Sequence, residues 1–164
     1  VCSSDLVLSA PRIYIFAKGE SYLAGCIFRN NLLKLDRHVT MADDGGLQTL
    51  HVKNGRPGDL FLFLSYSGIH YDYSKYAAAL SERGIKPCLI TAFSDSALAR
   101  QCDTVLLIPK SERVIGKVAN YSSMISLTYT LQVIYSLIFN QDYQENYRVK
   151  HEADSFIFTS FAEI

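Results

Sequence analysis

The residues best suited to chemistry lie where an apolar run, residues 60–64, meets the polar stretch Ser-Tyr-Ser-Gly at 65–68. Five consecutive apolar residues are typical of a strand buried on both faces. A helical pattern begins at about His70, and a helix N-terminus offers unpaired N–H groups and about half a positive charge. The serine hydroxyls add hydrogen-bond donors, and the glycine lets the backbone approach a ligand. The stretch predicts an anion site, or alternatively a turn whose serines only cap the helix.

A second small-residue turn follows the first predicted strand. Residues 12–17 are rich in β-branched and aromatic side chains, and the turn 18–21 reads Lys-Gly-Glu-Ser. A helix is expected from Ser21 to Asp36, with Ser21 as its N-cap. Ligands of parallel sheets bind beyond the carboxyl ends of the strands, so the two turns face one site if the first and third strands are neighbours.

The remaining elements alternate strand with helix. Asp59 opens the third strand, a helix runs from about His70 to Arg83, and Asp43–Gly46 forms a turn before a weak helix over 47–53. Continuous apolar strands alternating with helices predict an α/β fold, a three-layer αβα sandwich around a five-stranded parallel sheet. The other predicted strands are 39–42, 86–91 and 104–108.

A long C-terminal helix is predicted from Asn120 to Phe139, and it is apolar nearly all round. One side can lie on the sheet. The opposite side either meets a partner subunit or is buried under the tail 141–164. Within that tail, Phe156–Thr159 forms a strand or an apolar segment docked on the body.

Composition places the chain among ordinary globular domains. It has 164 residues, 16 basic and 16 acidic, so its net charge is zero, which argues against nucleic-acid binding through a broad basic surface. The four cysteines include no C-x-x-C pair, which predicts a reduced, cytoplasmic protein with no metal site and no disulfide framework. No membrane span, secretory signal or cofactor motif is expected.

The chain starts without Met, and Val1–Leu6 resembles a translated sequencing adapter. We therefore expect residues 1–11 to be a non-native or linker segment, residues 12–140 to form the domain, and 141–164 to form a C-terminal tail. On this view an upstream domain is missing.

The residues resemble the sugar isomerase (SIS) domain family. Residues 64–68 closely resemble its S-x-S-G-x-T phosphosugar loop, and the similarity covers 12–139. Within the family the chain looks most like the C-terminal ligand domain of RpiR-type transcriptional regulators, because of the Ser-Tyr-Ser-Gly loop and the pair Ser111-Glu112. Further matches are Asp59, Gly84, Ile90-Thr91, Ser96–Ala99 and Cys102-Asp103.

The resemblance implies a flavodoxin-like SIS fold and a set of ligand contacts. Ser65 and Ser67 would hydrogen-bond a sugar phosphate, and Ser21 would contact phosphate or sugar hydroxyls. Glu112 matches the glutamate that moves a proton between C1 and C2 in the isomerases of the family. The full set of implied ligand-binding residues is Gly19, Ser21, Ser65, Tyr66, Ser67, Gly68, His70 and Glu112.

Two departures from the family pattern concern phosphate binding. His70 stands where the family usually has threonine; it either donates to phosphate in a pH-dependent way or faces solvent at the helix start. The family usually has G-x-G-x-S after the first strand, and this chain has Ala-Lys-Gly-Glu-Ser at 17–21. Glu20 therefore either brings a negative charge near a phosphate, which Lys18 could offset, or points away from it.

The predicted function is sensing rather than catalysis. An isomerase needs a ring-opening group, and His51 lacks the His-Gly-Asp context of the arabinose-5-phosphate isomerases. We expect a sugar phosphate or amino-sugar phosphate to bind between the two turns of a homodimer or tetramer. DNA would be bound only by a missing N-terminal helix-turn-helix domain. The alternatives are an aldose–ketose sugar-phosphate isomerase using Glu112 and, with less support, a dinucleotide-binding Rossmann domain.

Overall fold

The computed structural model describes residues 3–161. Residues 1 and 2 of the segment 1–11, and 162–164 of the tail, lie outside the described residues. The helices are α1 (Ser3–Ser9), α2 (Glu20–Leu33), α3 (Gly45–Asn54), α4 (Tyr71–Ser81), α5 (Tyr121–Gln141) and α6 (Tyr143–Phe161), with a 3-10 turn at Ala99–Gln101. The strands are β1 (Ile13–Ala17), β2 (Val39–Met41), β3 (Leu60–Leu64), β4 (Pro87–Thr91) and β5 (Thr104–Leu107).

The five strands form one parallel sheet in the order β2-β1-β3-β4-β5. The strand order reverses direction between β1 and β3, which pair along their whole length from Ile13↔Leu60 to Ala17↔Leu64. Both strands therefore end side by side, and the turns that follow them open into one crevice. The predicted α/β sandwich with a five-stranded parallel sheet and a long C-terminal helix is confirmed.

The sheet is buried on both faces, which explains the continuous apolar strands. Alternate residues of β1 point to opposite sides: Ile13 and Ile15 pack with α1, α2 and α5, whereas Tyr14 and Phe16 pack with α3 and α4. The α3–α4 side is rich in aromatic rings, among them Phe61, whose ring centroid lies 4.8 Å from that of Tyr14. The alternation of side chains thus produces two cores from one sheet.

The long helix α5 is only half covered. Its buried residues face α2 and the sheet, and they are Ser123, Leu127, Leu131, Ile134 and Ile138. An opposite stripe at four-residue spacing stays exposed: Tyr121 (70%), Ile125 (69%), Tyr129 (70%), Val133 (39%) and Leu137 (43%). By length and composition alone α5 could also cross a membrane, but a core helix of a soluble domain passes the same test.

The structure corrects several local predictions. Ser21 is not the N-cap of α2, because Gly19 takes that position and the helix starts at Glu20. The expected turn at 43–46 is shorter, because the side chain of Asp44 accepts hydrogen bonds from the backbone N–H groups of Gly46 and Leu47 and starts α3 at Gly45.

The two ends of the chain also differ from expectation. Phe156–Thr159 is neither strand nor docked segment; it lies in α6, where Phe156 and Phe158 are exposed. The tail therefore does not cover the exposed stripe of α5, and that alternative for the second side of the helix was wrong. Within the segment 1–11, where no element was predicted, α1 packs against α5 and buries Val7.

Candidate functional site

The turns after β1 and β3 enclose a cavity of about 210 Å³ at the point where the strand order reverses. The loop between β5 and α5, together with the first turn of α5, closes a third side. The lining residues are Lys18, Glu20, Ser21, Ser65, Tyr66, Ser67, Ile69, His70, Val114, Lys117, Asn120, Ser123 and Met124. Hydroxyl groups, two lysines and the start of α4 thus surround one small polar space.

The Ser-Tyr-Ser-Gly loop is largely buried, and hydrogen bonds within the loop and from the end of β4 hold it in place. The Ser65 hydroxyl is buried and accepts a hydrogen bond from the backbone N–H of Gly68 (3.1 Å). The carbonyl of Tyr66 accepts bonds from the Thr91 hydroxyl and from the backbone N–H of Ala92, both 2.9 Å long. Because Oγ of Ser65 only accepts in this contact, its own proton is available to donate to a ligand.

Position 68 requires a glycine, because of both its backbone conformation and the atoms packed against it. Its φ is +63°, in the left-handed region, and a Cβ placed there would lie 2.6 Å from the Cβ of Ser96. The Ser96 hydroxyl in turn accepts from the backbone N–H of Ala99. The glycine therefore lets the β3–α4 loop pack directly on the loop that follows β4.

The β1–α2 turn is exposed by comparison. Gly19 has φ +58° with open space around it, and its carbonyl accepts from the N–H of Tyr22 (3.1 Å). The Glu20 carboxylate is turned toward α5, where a hydrogen bond from the Asn120 side chain lowers the pKa of Glu20. Glu20 lines the cavity, so its negative charge is part of the site rather than pointing away.

His70 lies at the N-cap of α4 and is half-buried on the cavity wall. Burial lowers the pKa of His70 below its usual value, and the nearby Lys18 charge lowers it further, while Asp72 acts in the opposite direction. The Lys18 ammonium is 3.9 Å from a carboxylate oxygen of Asp72 and 5.2 Å from the ring centroid of Tyr73. In the ligand-free protein the imidazole is therefore held toward its neutral form.

Glu112 is placed behind the cavity wall rather than on it. Its carboxylate accepts from the backbone N–H (3.0 Å) and the hydroxyl (2.8 Å) of Ser123, and it is 3.5 Å from the Lys117 ammonium. Desolvation alone would raise the pKa of Glu112, but the hydrogen bonds from Ser123 and the Lys117 charge outweigh it and lower the pKa. Both carboxylate oxygens are thus already engaged.

Tyr66 connects Glu112 to the Ser-Tyr-Ser-Gly loop. Its hydroxyl donates to the backbone carbonyl of Glu112 (3.0 Å) and accepts from the backbone N–H of the same residue (2.8 Å). The loop after β3, the segment around Glu112 and the first turn of α5 are consequently joined by a continuous set of hydrogen bonds.

The structure brings most of the predicted site residues together. Ser21, Ser65, Tyr66, Ser67 and His70 line the cavity. Gly19, Gly68 and Glu112 shape its walls from behind. His51 lies elsewhere, on α3, with its ring 5.2 Å from that of Tyr14. The structure describes no group of three or more His, Cys, Asp or Glu residues within 3–161 that could hold a metal ion.

Sequence reasoning missed the third wall of the cavity. Lys117, Asn120, Ser123 and Met124 lie on the β5–α5 loop and the start of α5, and Val114 lies beside them. No motif marks these positions, although the polar residues at 120–123 ahead of a long apolar helix are a signal for a helix start at a sheet edge.

The fold and crevice define a doubly wound α/β domain with a polar site at its topological switch point. The SIS domain family model matches residues 6–138, and the chain belongs to that family. The predicted resemblance to SIS domains is thereby confirmed.

Three known proteins illustrate the breadth of the family. The chain is 29% identical over 133 residues to the glutamine–fructose-6-phosphate aminotransferase [isomerizing] of Listeria innocua, covering 79% of this chain and 22% of that protein. The sugar isomerase domain of an RpiR transcription factor from Sphaerobacter thermophilus superposes with a TM-score of 0.79 at 22% identity, covering 93% of this chain and 83% of that one.

The Vibrio vulnificus NanR protein, solved in complex with ManNAc-6P, superposes with a TM-score of 0.84 at 19% identity, covering 97% of this chain and 60% of NanR. These structural likenesses establish the fold. The chain spans about a fifth of the length of the aminotransferase and about three fifths of NanR.

Proposed function

We propose that this chain is the phosphosugar-sensing effector domain of an RpiR-type transcriptional regulator. The observation that carries the proposal is the cavity between the turns after β1 and β3, where Ser65, Ser67 and the start of α4 offer donors and Lys18 a positive charge. This combination suits a phosphate group. Membership of the SIS family and the likeness to RpiR and NanR folds support the same proposal.

The sensor function is favoured over catalysis by the state of Glu112. A general base must accept a proton from the substrate, and its pKa should lie near the working pH. Glu112 has both oxygens engaged by Ser123 and Lys117, and its pKa is lowered, so it is a weak base. The residue instead fixes the β5–α5 loop to the start of α5.

An aldose–ketose isomerase is the second candidate function. It is supported by the relation to the isomerizing aminotransferase and by the position of Glu112 next to the cavity. In that case Glu112 would have to turn away from Ser123 when a sugar phosphate binds.

The ligand class in this proposal is a sugar phosphate or amino-sugar phosphate. The phosphate would lie against the loop 65–70, and the sugar would extend toward Asn120 and Ser123, whose side chains suit hydroxyl or amide groups. NanR is a relative in fold whose structure contains an N-acylated amino-sugar phosphate, which supports the inclusion of such ligands.

The experiment that tests the function is NMR of the purified protein with sugar phosphates, amino-sugar phosphates and the matching free sugars. A sensor binds a phosphosugar, ignores its free sugar and leaves the ligand signals unchanged for hours. New sugar signals would make the protein an isomerase. The double variant S65A/S67A should lose binding, because each charge-assisted hydrogen bond contributes about 1.5–3 kcal/mol, and unchanged affinity would contradict the site.

We also propose that the domain forms a homodimer through α2 and α5. Leu23 and Ile27 of α2 are exposed beside the exposed stripe of α5, and an apolar groove of about 570 Å³ runs between the two helices. α5 contains no Asp, Glu, Lys or Arg, and Glu20 is the one charged residue among those lining the groove, so the surface offers little charge to attract an oppositely charged partner or to repel a copy of itself. A second copy is therefore the occupant that suits it best, in a dimer or as half of a tetramer.

Light scattering after size-exclusion chromatography tests the assembly. We expect a dimer that dissociates in Ile125→Asp, because a carboxylate would be placed in the apolar contact. The matched control is Ile157→Asp, which introduces the same charge at a half-exposed isoleucine of α6. A wild-type monomer, or a dimer that survives Ile125→Asp, would contradict the proposed surface.

In the complete regulator, ligand binding would shift this dimer between two states, and an N-terminal helix-turn-helix domain would convert the shift into a change of DNA affinity. The proposed location is the cytoplasm, where both phosphosugars and DNA are available. The domain assignment 12–140, with a non-native or linker segment before it, belongs to the same proposal, although α1 of that segment packs on α5 and the family model begins at residue 6.

A further inference from the structure

Positive charge is unbalanced at one end of the cavity. The Lys18 ammonium lies beside His70 and the N-terminus of α4, and within residues 3–161 it forms an ion pair with Asp72, at 3.9 Å. Both side chains of that pair are largely solvent-exposed, 47% for Lys18 and 62% for Asp72, so the pairing is weak. A lysine, a half-buried imidazole and a helix N-terminus therefore meet with little compensating negative charge.

The opposite end of the cavity differs in this respect. The Lys117 ammonium is 3.5 Å from the Glu112 carboxylate, which is largely buried, and Glu20 adds a second carboxylate nearby. The cation there is balanced by acids, and only the Lys18 end is left to attract an anion.

We propose that Lys18 is a phosphate ligand that moves from Asp72 to the phosphate group when a phosphosugar binds, and that it makes the site selective for dianionic phosphomonoesters. The inference rests on the proposed function and deepens it. Lys18, on the β1–α2 turn, lines the same cavity of about 210 Å³ as Ser65 and Ser67, so a phosphate held by the two serines would share this small space with the lysine side chain. Because an ammonium is a point charge, its contribution grows with the charge on the ligand.

The same contact would couple binding to protonation of His70. The charged and titratable groups that face the imidazole are Lys18 from the β1–α2 turn and Asp72 and Tyr73 from α4. In the free protein Lys18 disfavours the imidazolium. A dianion between the two groups would reverse the sign of that field, so the imidazole would take up a proton as the phosphate binds.

The test uses the amide NMR signals of residues 65–70 titrated with methyl phosphate, a dianion at mildly alkaline pH, and with dimethyl phosphate, a monoanion. Lys18→Gln should weaken methyl phosphate binding about tenfold and dimethyl phosphate binding less than about threefold. The matched control is Lys75→Gln, which removes a cation from α4 outside the cavity, over the ring of Tyr71; it should change neither affinity more than about twofold. Lys18→Arg should restore the selectivity.

A second readout separates a phosphate ligand from a merely structural residue. In the ligand-free protein, Lys18→Gln should raise the pKa of His70 measured by imidazole NMR, because a nearby positive charge is removed, and Lys75→Gln should not. Three results would overturn the role of Lys18 while leaving the proposed function intact. The first is an equal loss of affinity for both ligands in Lys18→Gln, and the second is an equal effect of Lys18→Gln and Lys75→Gln. The third is a pKa of His70 that Lys18→Gln does not change. If methyl phosphate fails to shift the wild-type signals while a phosphosugar shifts them, this inference fails and the proposed function stands; if neither ligand shifts them, both fail.

Discussion

The two turns that face each other across the cavity are built in opposite ways. The β3–α4 loop is buried: Ser65 and Tyr66 are 2% and 7% exposed, and bonds from Thr91 and to Glu112 hold them. The β1–α2 turn is open, since Lys18, Gly19 and Glu20 are all exposed. One turn thus presents a buried, hydrogen-bonded backbone, and the other presents the exposed charges of Lys18 and Glu20.

The difference explains where the sequence follows the SIS family and where it departs from it. Residues 65–68 of this loop keep the family motif, because Gly68 packs on Ser96 and tolerates no side chain, and the departure at His70 lies at the half-buried end of the loop. The exposed turn adds Lys18 and Glu20, where no atom lies within 4 Å of a Cβ placed at Gly19, whereas the glycine of the family pattern is replaced by Ala17 at the buried end of β1. Under the proposed function the buried loop would hold the phosphate, and the open turn would add the positive charge of Lys18.

The largest expected effect is on stability, when one methyl group is added to the buried loop by Gly68→Ala. Gly68→Ala should lower the free energy of unfolding by about 2–4 kcal/mol, because a left-handed φ is combined with the contact to Ser96. Gly19→Ala is the matched control: its φ is also positive, with ψ −134°, but nothing lies within 4 Å, so backbone strain alone should give a smaller loss of about 1–2 kcal/mol. Urea denaturation measures both, and equal losses would remove the distinction between the two turns.

A smaller effect is expected when the buried loop loses its connection to Glu112. Tyr66→Phe removes a hydroxyl that makes two hydrogen bonds to the Glu112 backbone, and it should cost about 1–2 kcal/mol of stability. Tyr121→Phe removes a hydroxyl from a tyrosine that is 70% exposed and should change stability by less than about 0.5 kcal/mol. A neutral Tyr66→Phe would show that the loop is held by packing alone.

The contribution of the Glu112 carboxylate to stability should depend on pH. The pKa of Glu112 is lower in the folded protein than its ordinary value of 4.5, so the ionised carboxylate stabilises the fold above that pH, and the benefit is lost as pH falls through the folded pKa. Wild type should therefore be more stable than Glu112→Gln at neutral pH, and the difference in their free energies of unfolding should disappear at acidic pH. Urea midpoints across the pH range measure it; a gap that persists at low pH would contradict the assignment.

The smallest effect is expected at the open turn. Glu20→Gln removes a negative charge from the cavity rim and should strengthen phosphosugar binding by less than about threefold, because the carboxylate is exposed and screened. Glu82→Gln, at the far end of α4, is the charge-matched control. Titration calorimetry compares the two, and weaker binding in Glu20→Gln would mean that Glu20 contacts the sugar directly.

Much of the fold was predictable, because buried parallel strands appear in the sequence as continuous apolar runs. Residues 60–64 and 87–91 illustrate this, and the pairing of β1 with β3 then placed both turns at one site. Helix starts were less predictable: Asp44 was expected in a turn, because its capping bonds depend on the path of the backbone after β2. The nature of α6 was missed, because an exposed helix lacks the apolar periodicity that packing imposes.

The candidate site was predictable only where a motif marks it. Ser65, Ser67 and Gly68 stand in one short stretch, so sequence alone could assign them. Lys117 and Ser123 come from a loop and a helix start far along the chain, and only the folded backbone brings them to the cavity.

The hydrogen bonds of the Tyr66 hydroxyl provide a mechanical connection between the cavity and the long helix α5. They connect the loop that would touch a phosphate to the backbone of Glu112. The carboxylate of Glu112 in turn accepts a hydrogen bond from Ser123 in the first turn of α5. The helix has 21 residues, a length of about 32 Å, so a tilt of about two degrees at its first turn displaces its far end by about 1 Å. Because the exposed stripe lies along this helix, a small movement at the sugar would be magnified at the surface where two copies would meet.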